Sequence, residues 1–187
     1  VSMIAQVITR LDPLPESVRV ELASNLVTWL ADQQLITPSL LPLAKRESYG
    51  LSDWQPGPRW SDVVKESDYD LQGRLNNGVD VISEKEIQSA HGNSTNPSCQ
   101  RCDREFPLYE RFELVEKIWL AGGEPLIACE GCGWVALLGD WPTKFRMGLV
   151  GAPTVIFNNW SQLRPSFVNE LKQHMGGGRC RYFEMRI

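Results

Sequence analysis

The chain has 187 residues, 42% of them apolar and 22% charged, an ordinary globular composition that excludes a disordered tail. Its formal charge is −4, from 19 Lys and Arg against 23 Asp and Glu, which argues against a general nucleic-acid binder because such a protein needs a basic surface. There is no run of ~18 apolar residues, so no membrane span is expected, and the first residues lack the basic-then-apolar order of a secretion signal, so a cytoplasmic location is expected.

Residues 3–10 read as a short helix that leads across Asp12-Pro13 into a longer one over 15–35. Pro15 suits the first helical position, and Val18, Leu22, Leu26, Trp29 and Leu30 recur at helical spacing. Together the two would form a small helical hairpin. From 40 to 78 prolines and glycines break the pattern, and acidic residues such as Asp62, Asp68 and Asp70 cluster, as expected of a long loop. Residues 71–83 read as a hairpin turning at Asn77-Gly78. Ser83 and Glu86 then form a capping-box pattern for a short helix ending near 90.

The second half is better patterned. Leu108, Phe112, Val115 and Trp119 define a helix that stops at Gly122-Gly123. Short strands are expected at 126–129 and 134–138, and a strand rich in β-branched and aromatic residues at 154–160. Pro165 opens a helix that Gly176-Gly177-Gly178 ends, and 179–187 form a last strand with Phe183, Met185 and Ile187 on one face. The order strand, helix, strand predicts a βαβ unit with a parallel pair. The fold class expected is α+β: an N-terminal helical segment (1–45), a loop-rich acidic segment with a hairpin (46–95), and a portion over 96–187 that joins a zinc ribbon to the βαβ unit through a mixed sheet.

Four of the five cysteines form two Cys-x-x-Cys pairs, Cys99/Cys102 and Cys129/Cys132, with 26 residues between the pairs. Such a turn aims two thiolates at one ion, and two turns complete the tetrahedron that Zn²⁺ prefers. Gly133 follows the second pair and Asp103 the first, at places that favour a left-handed backbone. The helix over 108–121 fills the interval, so the site reads as a zinc ribbon with a helical insertion. Iron is the rival ion, since rubredoxin-like sites use the same turns beside aromatic residues such as Trp134. A Cys₄ site is coordinatively closed and structural. Arg101 and Arg104 stand ready to offset its negative charge, Trp134 and Trp141 to pack over it, and His91 is a substitute ligand. Cys180 reads as a buried small hydrophobe, and His174 lies in the last turn of a helix.

No phosphate loop, dinucleotide fingerprint or nucleophile elbow is present in the sequence. Trp54, Arg59 and Trp60 sit in the Pro/Gly loop and are the candidate partner-binding residues, because Trp and Arg favour interfaces. The expected function is a non-enzymatic, zinc-stabilised protein-binding module, an adaptor or a toxin-neutralising immunity protein. The alternatives are a nucleic-acid-binding ribbon, using the aromatic strand at 155–160 to stack bases, and an iron electron carrier or an enzyme of unrecognised type.

The C-terminal residues Phe157, Asn159, Trp160, Pro165, Phe167, Glu170 and Leu171 resemble the end of a group of bacterial zinc-ribbon proteins. In that group an aromatic-Asn-Trp strand precedes a helix and a basic last strand. The second asparagine, Asn158, and Ser161-Gln162 in place of prolines depart from its pattern. The resemblance implies architecture and a bacterial origin; it implies no activity.

Overall fold

A computed structural model describes residues 4–66, 70–72, 74–89, 96–142 and 147–186. His91, Asp68 and Ile187, singled out above, lie outside these described residues. In chain order the elements are β1 (Ile4–Arg10), α1 (Glu16–Asp32), β2 (Ile36–Pro38), α2 (Leu43–Tyr49), β3 (Trp54–Pro56), β4 (Val79–Ile82), β5 (Glu86–Ser89), α3 (Phe112–Leu120), β6 (Leu126–Ala128), β7 (Val135–Leu137), β8 (Met147–Val150), β9 (Thr154–Asn158), α4 (Pro165–His174) and β10 (Cys180–Arg186). This is the expected α+β class.

Six strands form one sheet in the order β10-β1-β9-β4-β3-β2, and every neighbouring pair is antiparallel. It draws β1 and β2 from residues 1–45, β3 and β4 from 46–95, and β9 and β10 from 96–187. On one face Ile8, Val155, Phe157 and Val79 meet Leu26 and Leu30 of α1 and Phe167, Val168 and Leu171 of α4. On the other, Ala5, Val7, Ile156 and Met185 form a second apolar cluster.

Two-sided burial corrects the first expectation. Residues 4–10 are a central strand, not a helix, so there is no N-terminal helical hairpin. Six of the seven residues of β1 are buried, so the alternation that marks a half-exposed strand is absent and the apolar run is ambiguous. α1 forms as expected and ends in a left-handed residue, Gln34 (φ 59°), ahead of β2.

The expected hairpin over 71–83 is absent too. β4 pairs with β9 along its length and touches β3 at Val79. Asn77 makes a corner instead of a hairpin turn: its side-chain amide donates to the Leu71 carbonyl, and its own carbonyl accepts from Trp160 Nε1 at 2.9 Å. The capping-box helix is replaced by β5, which pairs with β8; tertiary pairing overrides the local signal. In the C-terminal unit β9 and β10 run in the same direction, as a βαβ unit requires. They are not hydrogen-bonded partners, because β1 lies between them, antiparallel to both.

The second core surrounds the cysteine pairs. Val115 and Trp119 of α3 pack with Phe106, Leu108, Leu138, Trp141, Leu149, Cys99 and Cys129, and Leu11 joins them from the end of β1. Trp119 Nε1 donates to the carbonyls of Glu86 and Val150, which ties α3 to the β5–β8 ribbon. Arg179 ties this core to the large sheet. Its guanidinium meets both oxygens of Glu124, at 2.8 and 2.9 Å, and Asp140 at 3.0 Å. Gly151 allows the close approach of the chain to β1, since a Cβ there would lie 1.6 Å from the Arg10 carbonyl oxygen.

Candidate metal centre

The two Cys-x-x-Cys turns have the same backbone. In the first, the Cys99 N–H donates to the Arg104 carbonyl at 2.8 Å and the Asp103 N–H to the Cys99 carbonyl at 2.9 Å. In the second, the Cys129 N–H donates to the Trp134 carbonyl at 2.7 Å and the Gly133 N–H to the Cys129 carbonyl at 2.8 Å. The fifth residue of each is left-handed, Asp103 at φ 58° and Gly133 at φ 72°, as the sequence suggested. The bonds close each turn and expose N–H groups to the first sulfur. The Arg101 N–H lies 3.4 Å from Cys99 Sγ.

The second turn joins β6 to β7, and the first sits above a bridge between Ser98 and Glu105. Packing through Phe106, Trp141 and α3 then brings the tips together. Cys99 Sγ is 3.6 Å from Cys132 Sγ, Cys102 Sγ is 3.5 Å from Cys129 Sγ, and all four sulfurs lie within 4.8 Å of one another. A tetrahedral zinc with sulfurs at ~2.3 Å sets them about 3.8 Å apart. The four sulfurs are free thiols placed to hold a metal ion, and soft donors in this number fit zinc or iron.

The thiols share protons unevenly. Burial opposes ionisation of Cys129, but the N–H groups of Cys132 and Gly131 and the thiols of Cys102 and Cys99 bring it down to about 6. The Arg104 N–H favours a Cys102 thiolate, yet donation to Cys129 and burial outweigh it and push Cys102 up to about 12. Cys132 is raised as well: the Trp134 N–H favours its thiolate, and burial and its partner sulfur Cys99 overcome that. An arriving cation therefore displaces protons from these outer sulfurs.

Trp141 lies buried with Cys99 and Cys129, and Trp134 meets it in a tilted contact with ring centroids 5.1 Å apart, so both tryptophans pack at the site as expected. Arg104 faces Glu130 at 3.2 Å, and Arg111 meets the same carboxylate at 3.4 Å. Glu130 thus bridges the second turn, the first turn and the start of α3. Sequence reasoning missed this bridge and the Arg179–Glu124 pair, since neither partner is a sequence neighbour of the other. Cys180 stands apart, half-buried, with its thiol toward the Gly177 carbonyl.

The loop residues separate. Trp60 is buried and meets Trp160 edge-on, so its ring is committed to the core. Trp54 is half-buried on β3, and Arg59 is exposed and paired with Asp62 at 2.8 Å. The aromatic strand is no stacking surface: Val155 and Phe157 in β9, and Trp160 after it, are at most 1% exposed. These side chains are therefore not available to stack bases. Among the described residues no helix is long and apolar enough to cross a membrane.

No family model matches the chain, and no curated protein or solved structure matches it. Of the bacterial zinc-ribbon resemblance, the cysteine cluster is the part that the structure supports: two matched turns whose four thiols converge where one metal ion fits.

Proposed function

We propose that the chain is a zinc-stabilised protein-binding module in which Cys99, Cys102, Cys129 and Cys132 hold one Zn²⁺. The observation that carries the reading is the sulfur cluster, with edges of 3.5 and 3.6 Å. Four sulfur donors fill a tetrahedral shell and leave no position for water or substrate, so the ion stabilises and does not catalyse. Its binding energy becomes folding energy for the hairpin and turns around it.

The outer side of this region supports the binding role. Leu126 and Val135 of β6 and β7 are 66% and 51% exposed, and Tyr109, Leu114 and Leu120 are exposed nearby in sequence on and before α3. Trp54 and Arg59 belong to the proposal as further partner residues; Trp60 supports them from the core. A charge of −4 suits capture of a basic partner, as in an adaptor or an immunity protein. The thiols must stay reduced to bind metal, so a cytoplasmic setting is part of the reading. Trp134 and Trp141 beside the sulfurs favour one second reading, iron in the same shell as an electron carrier.

Elemental analysis of the purified chain tests this directly. The expected result is one zinc per chain, lost together with thermal stability in Cys99→Ser and Cys132→Ser and kept in Cys180→Ser. Full occupancy and unchanged melting in the first two variants would overturn the assignment. A coloured, iron-bearing protein selects the second reading.

A further inference from the structure

The four sulfurs are not equivalent. Cys99 and Cys129 are buried with Trp141 and Phe106, whereas Cys102 and Cys132 are exposed. The close approaches pair one of each kind, Cys102 with Cys129 and Cys132 with Cys99, and both pairs cross from one turn to the other. We infer that Cys102 and Cys132 are oxidation sites for peroxides, and that the buried sulfur opposite each one resolves it as a disulfide joining the two turns, with release of the metal. This rests on the four-sulfur zinc reading.

Exposure decides where the reaction starts. In the zinc-loaded chain the outer sulfurs are thiolates; one attacks the peroxide, the O–O bond breaks, a sulfenic acid forms, and the leaving hydroxide takes one proton to become water. The buried thiolate across the site then attacks the sulfenic sulfur. The S–S bond forms, the S–O bond breaks, and a second water leaves. Two thiolates give two electrons to one peroxide, and two protons are consumed. Closing a 3.5 Å gap to the ~2.05 Å of a disulfide needs about 1.5 Å of movement, which small rotations of two tips supply. Two of four ligands then remain, below the three or four protein ligands that zinc sites use. A second peroxide closes the other pair. The turns stay linked after the ion leaves, because the new bond spans the gap that the ion had spanned. A redox Cys-x-x-Cys pair differs, since its disulfide closes within one turn.

The test uses the full chain loaded with zinc, in wild type and in Cys180→Ser, which removes the bystander thiol. Hydrogen peroxide is titrated in, released zinc is read with a chromogenic chelator, and disulfides are mapped by mass spectrometry without reduction. Cleavage after Arg101, Arg111 and Glu130 puts all four cysteines on separate peptides. The expected result is one zinc released per chain, peptides linked as Cys102–Cys129 and Cys99–Cys132, and recovery of zinc binding after reduction. Zinc retained at full oxidation, links within a turn (Cys99–Cys102 and Cys129–Cys132), or sulfonic acids without disulfides would each overturn the inference. A chain that binds no metal at the outset refutes the four-sulfur reading itself; one that binds zinc and pairs wrongly refutes this inference alone.

Discussion

Replacing Arg179 with methionine tests how the metal-bearing hairpin is fastened to the large sheet. Arg179 opens the approach to β10, while Glu124 precedes β6 and Asp140 follows β7. The Glu124 side chain is 10% exposed and that of Arg179 29% exposed. Without Arg179, Glu124 keeps one hydrogen bond, from the Gly139 N–H at 2.8 Å. Breaking a fully buried ion pair costs about 3–5 kcal/mol. Partial exposure of the arginine reduces this, and we expect about 2–3 kcal/mol here. For a chain of this length that lowers the melting temperature by roughly 5–10 °C. Urea unfolding of wild type, Arg179→Met, Glu124→Gln and the double variant gives the coupling energy. A coupling of about 2 kcal/mol, little changed by salt, is expected for a bidentate pair of this burial. A coupling below about 0.5 kcal/mol would place the pair among exposed surface bridges and refute the reasoning.

Asp80 of β4 is held above the ordinary carboxylate range by burial, which outweighs hydrogen bonds from Ser52 and Asn158. The folded chain therefore keeps this proton to a higher pH than the unfolded chain does, and stability falls as pH rises through that interval. Asp80→Asn should melt above wild type at pH 7, with the difference vanishing as pH falls below the usual carboxylate values; a difference constant across pH would contradict this. Gly151→Ala should cost about 3 kcal/mol, because the new Cβ meets the backbone oxygen of Arg10 and no side chain can yield; calorimetry showing wild-type melting would refute the close contact.

The metal centre was legible because its signal is local. Two turns of six residues carry their own ligands and left-handed positions, and α3 fills the interval between them. α1 and α4 were legible for the same reason: an apolar stripe and an opening proline need no distant partner. β1 was not, because burial on both faces erases the period that tells strand from helix. β4 is a strand as expected, but its pairing with β9 and the strand form of β5 are not legible, because Asn77-Gly78 and Ser83/Glu86 give short-range signals that the distant partners β9 and β8 override. Trp60 carried the composition of an interface residue, and only its contact with Trp160 assigns it to the core.

The place of β1 between β9 and β10 bears on how the chain is made. β1 leaves the ribosome before the other strands of its sheet, yet its neighbours are residues 154–158 and 180–186. At ~5–20 residues per second, a nascent β1 waits roughly 10–35 s for the second of them. Until β9 emerges both its edges are open and Ala5, Val7 and Ile8 are without their partners, a combination that invites association with other nascent chains. The large sheet is thus completed only once residues 180–186 have emerged, whereas the cysteine turns, α3 and the β6–β7 hairpin emerge earlier as one local unit.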